Sequence, residues 1–333
     1  MNYRIESDTF QLKFRHAFHI AHGKRYHTDT VFTTASADGL TGFGEAALPP
    51  YLGYSSLTVA EEIKNFSFSG NDIPSILDEL HASELSRPAK ASADIALYDL
   101  WAKQENKSVH QLLQIPASTS YPCFYTLGIS SVRELEEKLA SSKGTKIYKI
   151  KLGSENDFDF LKEFRQRSNI PFCADANQAW KTKKEALNNI QQLYELGCIF
   201  IEQPLPVGHP DLKALHENCP LPIYLDESLQ SIADIHTNAN ACNGINIKLV
   251  KTGGIRPALQ WIAAAKQHGL KILMGCMSES TCGAAAALQL AGAGDFVDLD
   301  GPLLIANDPF SGISYSEGEI QTPTTMGLGI FKT

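Results

Sequence analysis

The chain has 333 residues, of which 43% are hydrophobic and 20% are charged, and its formal net charge at pH 7 is −8. These values are typical of a globular protein with a sizeable core, built as two ordinary domains or as one large barrel with an addition. The negative charge, with no basic stripe along the sequence, argues against a nucleic-acid partner and against an anionic membrane surface.

The cysteines and the N-terminal segment indicate the cellular compartment in which the protein is expected. Seven cysteines are scattered without a CxxC pair, which favours reduced thiols over a disulfide framework or a zinc site. MNYRIESDTF has the pattern of a polar strand rather than a signal peptide, and no apolar run approaches membrane-spanning length. We therefore expect a cytoplasmic protein.

The sequence pattern of residues 1–114 predicts a small α+β domain. Residues 1–55 alternate between apolar and polar positions as antiparallel strands do, and the DG of SADGLTG is a hairpin turn signal. From about residue 58 the pattern becomes helical, and ADIALYDLWAKQ (93–104) carries a broad apolar stripe. Strands followed by helices indicate an α+β arrangement.

Residues 115–305 contain a regular repeat. Eight short apolar strand candidates alternate with amphipathic helical stretches: CFYTLG (123–128), KIYKIKLG (146–153), PFCADANQ (171–178), IFIEQP (199–204), IYLDES (223–228), INIKLV (245–250), KILMGC (271–276) and FVDLDG (296–301). The ends of successive strands, from the second onwards, are 22 to 28 residues apart. This is the length of one strand, one helix and two loops, and eight such units close a parallel barrel.

The predicted fold is therefore α/β, a TIM-like (β/α) barrel with an α+β capping domain. An open doubly wound sheet would also alternate strands and helices, but no glycine-rich phosphate loop follows any of these strands. Residues 306–333 leave the repeat, and GISYSEGEI resembles a strand pair. We expect this C-terminal segment to return to the capping domain.

Three carboxylates end adjacent predicted strands. Asp175, Glu202 and Asp226 follow the third, fourth and fifth strands, at the edge where barrel enzymes place their chemistry. A single carboxylate after a strand often caps the next helix, whereas three that converge would repel one another without a cation. Oxygen ligands without histidine or cysteine favour Mg²⁺. Asn177 and Glu227 are candidates for orienting these ligands.

Lysines lie on both sides of this predicted metal site. Lys151 and Lys248 end the second and sixth strands, which are opposite each other in a ring of eight. Such a pair can remove a proton from one face of a carbon and return one to the other face. Lys149, on the same strand face as Lys151, would stabilise the charge of the enediolate that forms beside a carboxylate. Repulsion and the cation are expected to lower the pKa values of these lysines.

The last predicted strand carries a carboxylate pair. Asp298 and Asp300 share a strand face and lie opposite the metal site. No second metal cluster adjoins them, so the simplest ligand is an ammonium group on the substrate. A molecule with a carboxylate at one end and an ammonium at the other end, such as a dipeptide, fits this spacing better than a single amino acid.

These motifs resemble the enolase superfamily, in its muconate lactonizing enzyme branch, over essentially the whole chain. The matching segments are KIK (149–151), DANQAW (175–180), EQP (202–204), DES (226–228) and NIKLVKTGG (246–254). The resemblance implies that Asp175, Glu202 and Asp226 bind Mg²⁺ and that Lys151 and Lys248 are the acid–base pair.

Within that branch, DLD (298–300) and GCMSES (275–280) are similar to dipeptide epimerases, in which the aspartates hold the substrate ammonium. The resemblance implies an isomerase that epimerises the second residue of L-Ala-X dipeptides, with L-Ala-D/L-Glu, a peptidoglycan fragment, as the expected substrate. Thr126, Cys276 and Met277 are expected to contact it. Relatives of this kind also form oligomers, so we expect a homo-oligomer.

The capping loops leave the preferred second residue open. They correspond to AHGKRYHTDT (21–30) and PPYLGYSSLT (49–58). Lys24 or Arg25 could recognise an acidic side chain, although Gly23 occupies the position where the resemblance predicts arginine. Tyr51 and its neighbours would suit a hydrophobic side chain equally well.

Two alternatives to a dipeptide epimerase remain open. A cycloisomerase or o-succinylbenzoate synthase would use the same metal and lysines, but its substrate has no ammonium group for Asp298 and Asp300. A barrel that binds a ligand without turnover would need the opposed lysines only for structure.

Overall fold

The structure is a computed structural model that describes residues 2–20 and 23–333. It begins with a three-stranded antiparallel sheet made of β1 (Arg4–Ile20), β2 (Gly23–Ala37) and β3 (Leu40–Leu48). The predicted hairpin turn is confirmed between β2 and β3, where Asp38 and Gly39 have φ angles of 50° and 81°. Both angles lie in the left-handed region that DG turns require.

Four helices follow this sheet: α1 (Ser56–Lys64), α2 (Ile73–Ala82), α3 (Arg87–Gln104) and α4 (Val109–Leu112). Helix α3 packs directly on β3, and glycine is needed where the two backbones meet. A Cβ atom on Gly44 would lie 1.9 Å from the carbonyl oxygen of Ser92. This close approach fixes β3 beside the helix, and β3 in turn faces the barrel.

The predicted eight parallel strands are confirmed. After the short strand β4 (Ser120–Pro122), they are β5 (Tyr125–Leu127), β6 (Tyr148–Lys151), β7 (Phe172–Asp175), β8 (Cys198–Glu202), β9 (Ile223–Leu225), β10 (Gly244–Ile247), β11 (Lys271–Gly275) and β12 (Phe296–Asp298). They are hydrogen-bonded in sequence order. A parallel bridge between Cys123, two residues before β5, and Val297 on β12 joins the two ends of the sheet, so the sheet is a nearly closed barrel.

Helices surround the barrel. They are α5 (Val132–Ser141), α6 (Asp157–Arg167), α7 (Lys183–Glu195), α8 (Leu212–His216), α9 (Ile232–Asn238), α10 (Leu249–Thr252), α11 (Ile255–Gln267), α12 (Thr281–Leu288) and α13 (Gly301–Leu304). Inside the barrel, Phe124, Phe200, Tyr224 and Phe296 pack together, with the rings of Phe200 and Tyr224 4.3 Å apart. These rings fill the interior and leave the polar chemistry to the C-terminal ends of the strands.

The C-terminal segment contacts both parts of the chain through β13 (Phe310–Ser311), β14 (Ser314–Ser316), β15 (Glu319–Gln321) and β16 (Phe331–Lys332). The predicted strand pair is β14 and β15, and it pairs with β4. The segment also contacts the first sheet, where the Phe310 ring lies 5.1 Å from that of Phe32 and 5.3 Å from that of Phe43, and Asn307 accepts from the backbone N–H of Lys13 at 2.7 Å. The domain boundaries at residues 114 and 305 stay predictions.

Among the described residues, no helix combines the length and the apolar character needed to span a membrane.

Candidate active site

Lys149, near the end of β6, is the centre of the charged cluster at the mouth of the barrel. Its side chain is 2% exposed, and its Nζ lies 2.7 Å from Glu202 Oε2, 2.7 Å from Asp298 Oδ2 and 3.5 Å from Asp175 Oδ2. These partners come from β7, β8 and β12. Because parallel strands present their C-terminal ends at one rim, residues far apart in sequence meet here.

The two opposed lysines each contact one of the predicted metal ligands. Lys151 Nζ lies 2.5 Å from Asp175 Oδ2, and Lys248 Nζ lies 2.7 Å from Asp226 Oδ2. Both lysines line one small cavity of about 50 Å³. Lys251 also donates to Asp226. Sequence reasoning assigned no role to Lys251, although it is three residues from Lys248 in NIKLVKTGG.

Two buried amides that sequence reasoning missed support the carboxylates. Asn246 lies on β10, the strand that precedes Lys248, and donates to Glu202 Oε1 at 2.8 Å. Its position two residues before Lys248, on the same face of the strand, could have indicated this role from the sequence. Gln203 accepts hydrogen bonds from the backbone N–H groups of Asp226 and Ser228, both at 3.1 Å. Gln203 has a φ angle of 39°, in the left-handed region that residues other than glycine seldom adopt. These contacts fix the orientation of Glu202 and Asp226.

The carboxylates of the cluster have perturbed pKa values. Burial and the charge of Asp175 raise the pKa of Glu202 to about 7. Burial opposes the ionisation of Asp175 and Asp226, but the neighbouring ammonium groups outweigh it and lower both pKa values. Burial and the charge of Asp298 raise the pKa of Asp300 to about 7.

The pKa values of Lys149 and Lys248 shift in the direction opposite to the expectation. Burial opposes the protonation of Lys149, but the carboxylates of Asp298, Glu202 and Asp175 outweigh it and raise its pKa well above the ordinary value. Asp226 has the same effect on the pKa of Lys248. The expectation considered repulsion between lysines and a cation, whereas each ammonium group is in direct contact with a carboxylate.

The donor set of Asp175, Glu202 and Asp226 fits a hard cation in its chemistry. Within residues 2–20 and 23–333, no three histidine, cysteine, aspartate or glutamate side chains are grouped as a ready-made metal site. Lysine ammonium groups lie between these carboxylates instead, which shows that the cluster requires positive charge. The buried Oδ1 atoms of Asn177 and Asn246 have no hydrogen-bond partner, and they add oxygens of the type that Mg²⁺ accepts.

The predicted supporting and substrate residues also gather at this rim. Asn177 donates to Glu227 at 3.2 Å, and its backbone N–H donates to Asp175 Oδ1 at 2.9 Å. Asp300 Oδ2 accepts from the backbone N–H of Thr126 at 2.6 Å. The two oxygens of Asp298 differ in their surroundings. Oδ2 accepts from Lys149, whereas the buried Oδ1 has no hydrogen-bond partner. Cys276 and Met277 line the cavity with them.

The capping domain contributes Arg25 and Tyr51 to the same cavity. The Arg25 guanidinium lies 5.6 Å from the ring centre of Phe14 and 5.9 Å from that of Tyr51, and it donates to Thr28 Oγ1 at 2.9 Å. Its buried Nε has no hydrogen-bond partner. Tyr51 donates to Met277 Sδ at 3.2 Å, which links the capping domain to the barrel.

The expectation of a loop at residues 21–30 was wrong for most of its length. Residues 23–30 belong to β2, because they pair with β1 and, from Asp29, with β3. Ala21 and His22 lie outside the described residues. Neighbouring side chains of a strand point to opposite faces. Accordingly, Lys24 lines a separate cavity of about 1180 Å³ rather than the one that contains Lys151 and Lys248.

Comparison with known families agrees with this architecture. Residues 4–114 match the mandelate racemase / muconate lactonizing enzyme N-terminal domain, and residues 131–331 match the enolase C-terminal domain-like family. The chain belongs to the enolase superfamily.

Similar members of the superfamily have the names of epimerases. The L-Ala-D/L-Glu epimerase of Bacteroides thetaiotaomicron is 36% identical, over 97% of this chain and 86% of its own length. The L-Ala-D/L-amino acid epimerase of a Maribacter species is 35% identical over 98% of both chains. A dipeptide epimerase from Enterococcus faecalis, solved in complex with Mg and L-Leu-L-Tyr, has a TM-score of 0.90 and 28% identity over 99% of both chains.

The Lys149 cluster predicts a large cost for the variant Lys149→Met. Three buried carboxylates would lose their shared partner, so we expect the free energy of unfolding to fall by about 3–5 kcal/mol when urea denaturation is measured in EDTA. Lys146→Met is the matched control, because Lys146 is half exposed and pairs with Glu319 at the surface. The control should lose at most about 1 kcal/mol. Equal losses in the two variants would contradict the role of Lys149.

Proposed function

We propose that the protein is a Mg²⁺-dependent dipeptide epimerase that inverts the α-carbon of the second residue. The observation that carries the proposal is the placement of Lys151 and Lys248. They come from strands four apart in an eight-stranded ring and line the same cavity. Two amines on opposite sides of a bound carbon are the arrangement that proton exchange between its faces requires.

The lysines would act as an acid–base pair. The neutral amine of one accepts the α-proton, so that a C–H bond breaks and an N–H bond forms. The ammonium group of the other then donates a proton to the opposite face of the carbon. The reverse direction exchanges the two roles. After one turnover the first lysine is protonated and the second is neutral, so the starting form is restored by a turnover in the reverse direction or by proton exchange with solvent. Lys149, which contacts three carboxylates, keeps the surrounding charge balanced and would face the negative charge that develops on the substrate.

Asp175, Glu202 and Asp226 would hold Mg²⁺. When bound, this ion supplies positive charge for the substrate carboxylate and so acidifies the adjacent α-carbon. The support is the donor set itself and the presence of Mg in the complex of the Enterococcus faecalis dipeptide epimerase. Asn246 and Gln203 would keep the ligands in place through the hydrogen bonds described above.

Asp298 and Asp300 would bind the α-ammonium group of the first residue. The buried, unpartnered Oδ1 of Asp298 needs a hydrogen-bond donor. This need favours a substrate with an ammonium group over the substrates of cycloisomerases and of o-succinylbenzoate synthase. A direct test is incubation of L-Ala-L-Glu and L-Ala-L-Leu with enzyme and Mg²⁺, followed by chiral chromatography. Turnover of a cycloisomerase or o-succinylbenzoate synthase substrate, without epimerisation of any dipeptide, would favour that alternative.

The ammonium site predicts the behaviour of the variant Asp300→Asn. A charged hydrogen bond contributes about 1.5–3 kcal/mol, so the KM for L-Ala-L-Glu should rise by about 10- to 100-fold. N-acetyl-L-Ala-L-Glu, which has no ammonium group, provides the comparison in the same steady-state assay. The wild type should prefer the free dipeptide strongly and the variant much less. An unchanged preference would mean that the aspartates do not recognise the ammonium group.

The second residue of the dipeptide would lie beneath Arg25, and we infer a preference for an acidic side chain such as Glu. The support is the cavity-lining position of Arg25 and its buried, unpartnered Nε. A hydrophobic second residue is the other candidate, because Tyr51 and Met277 present apolar surface to the same cavity.

Arg25→Met and Lys24→Met form a matched pair that separates these preferences. Arg25→Met should lower kcat/KM for L-Ala-L-Glu by about 10- to 100-fold, because a charged pair is lost, and should change kcat/KM for L-Ala-L-Leu by less than about threefold. Lys24→Met, which removes a neighbouring cation from a different cavity, should leave the ratio of the two substrates unchanged. An equal change in the ratio of the two kcat/KM values in both variants would show that Arg25 does not recognise the side chain of the second residue.

A homo-oligomer, a cytoplasmic location and a role in the metabolism of peptidoglycan peptides stay predictions from the sequence.

A further inference from the structure

The N-terminus of α12 receives carboxylates from two distant parts of the chain. Glu45, on β3 of the capping domain, is 2% exposed. It accepts hydrogen bonds from the backbone N–H groups of Ser280 and Gly283, at 3.1 and 2.9 Å, and from the hydroxyl groups of Ser280 and Thr30. Asp308, in the C-terminal segment, accepts from the backbone N–H and the hydroxyl of Thr281, both at 2.8 Å. Both residues cap the helix. Glu45 belongs to the first sheet, whereas Asp308 belongs to the C-terminal segment and also accepts from the backbone N–H of Phe310 at 2.9 Å.

The loop that Glu45 anchors forms one wall of the active-site cavity. Cys276, Met277 and Ser278, between β11 and α12, all line the cavity beside the catalytic lysines. Met277 packs against Ala46 and Ala47, the residues that follow Glu45 on β3. The wall is therefore held against the capping domain at its middle by apolar packing and at its far end by the Glu45 carboxylate.

A second buried carboxylate, that of Glu279, contacts the same loop between β11 and α12. Glu279 is 7% exposed, its Oε2 accepts from the backbone N–H of Met277 at 3.3 Å, and a Cβ atom on Gly283 would lie 2.8 Å from its Cδ. Burial raises the pKa of Glu45 to about 7, and burial together with the charge of Glu45 raises the pKa of Glu279 well above its ordinary value. The hydrogen-bond donors around Glu45 therefore matter, because they offset a large desolvation cost.

We propose that Glu45 is a positioning residue that transmits the docking of the capping domain to the substrate cavity. It does not line the cavity. It acts by fixing Ser280, and through it the wall formed by Cys276, Met277 and Ser278. The wall sets how tightly the dipeptide is held, so Glu45 affects substrate binding more than the proton-transfer step. The kinetic part of this inference rests on the proposed function, whereas the structural part does not.

Glu45→Gln and Asp308→Asn provide the matched test. Glu45→Gln places an amide NH₂ group among N–H and O–H groups that need an acceptor. Asp308→Asn makes the same chemical change at the other cap, whose carboxylate accepts hydrogen bonds from Thr281 and Phe310 rather than from the first sheet. We expect Glu45→Gln to raise the dipeptide KM by about tenfold or more and to change kcat by less than about threefold. Asp308→Asn should leave KM within about twofold of the wild type.

Reaction of Cys276 with a thiol reagent gives a readout that needs no activity. Cys276 and Cys219 are half-buried, and the other five cysteines are buried. Peptide mass spectrometry should show that Glu45→Gln accelerates the modification of Cys276 by about tenfold relative to Cys219, and that Asp308→Asn does not. If Glu45→Gln does not fold, Glu45→Asp, which keeps the charge but is one methylene shorter, replaces it with the same expectation.

Equal effects of the Glu45 and Asp308 variants on KM and on Cys276 would overturn the inference, because Glu45 would then be only a helix cap. If the wild type epimerises no dipeptide, the proposed function fails, and the Cys276 comparison still decides whether Glu45 positions the wall.

Discussion

The structure of the active site depends on the compensation of negative charge at the mouth of the barrel. Five buried carboxylates meet there, and they require positive charge from lysines that are buried or, in the case of Lys151, half-buried. Lys149 has the central position, because it contacts carboxylates from three different strands. Breaking such a buried network is far more costly than breaking a surface ion pair. The same need for positive charge explains why the cluster suits a divalent cation and a substrate ammonium group.

The barrel and the capping domain have different tasks in this arrangement. The parallel strands fix the charged groups, since each group lies at the end of a strand that is hydrogen-bonded on both sides. The capping domain supplies Arg25 and Tyr51, which face the second residue of a bound dipeptide in our proposal. Glu45 and the apolar contact of Met277 connect these two parts. In our proposal, substrate preference and catalysis thus depend on separate elements that share one wall.

Much of the barrel could be predicted from the sequence, because a strand–helix unit has a characteristic length and its strand ends carry the chemistry. The carboxylates and lysines were expected to meet at the barrel mouth for this reason, and the structure brings them into contact there. Asn246, Gln203, Lys251 and Glu45 were not, because their roles come from partners on other strands or in another domain. Residues 23–30 were expected in a loop because of the family resemblance, whereas they continue β2 and pair with the long strand β1. The direction of the lysine pKa shifts also depended on contacts that only the folded chain reveals.

The most direct test of the central claim measures α-proton exchange by the wild type and by the variants Lys151→Ala and Lys248→Ala. Each enzyme is incubated in D₂O with Mg²⁺ and either L-Ala-L-Glu or L-Ala-D-Glu, and the exchange is monitored by proton NMR. The wild type should exchange the α-proton of the second residue in both stereoisomers. Each variant should lose epimerisation, and each should retain exchange with one stereoisomer only, the two variants with opposite ones. Loss of exchange with both stereoisomers in one variant and full epimerisation in the other would contradict two opposed lysine bases.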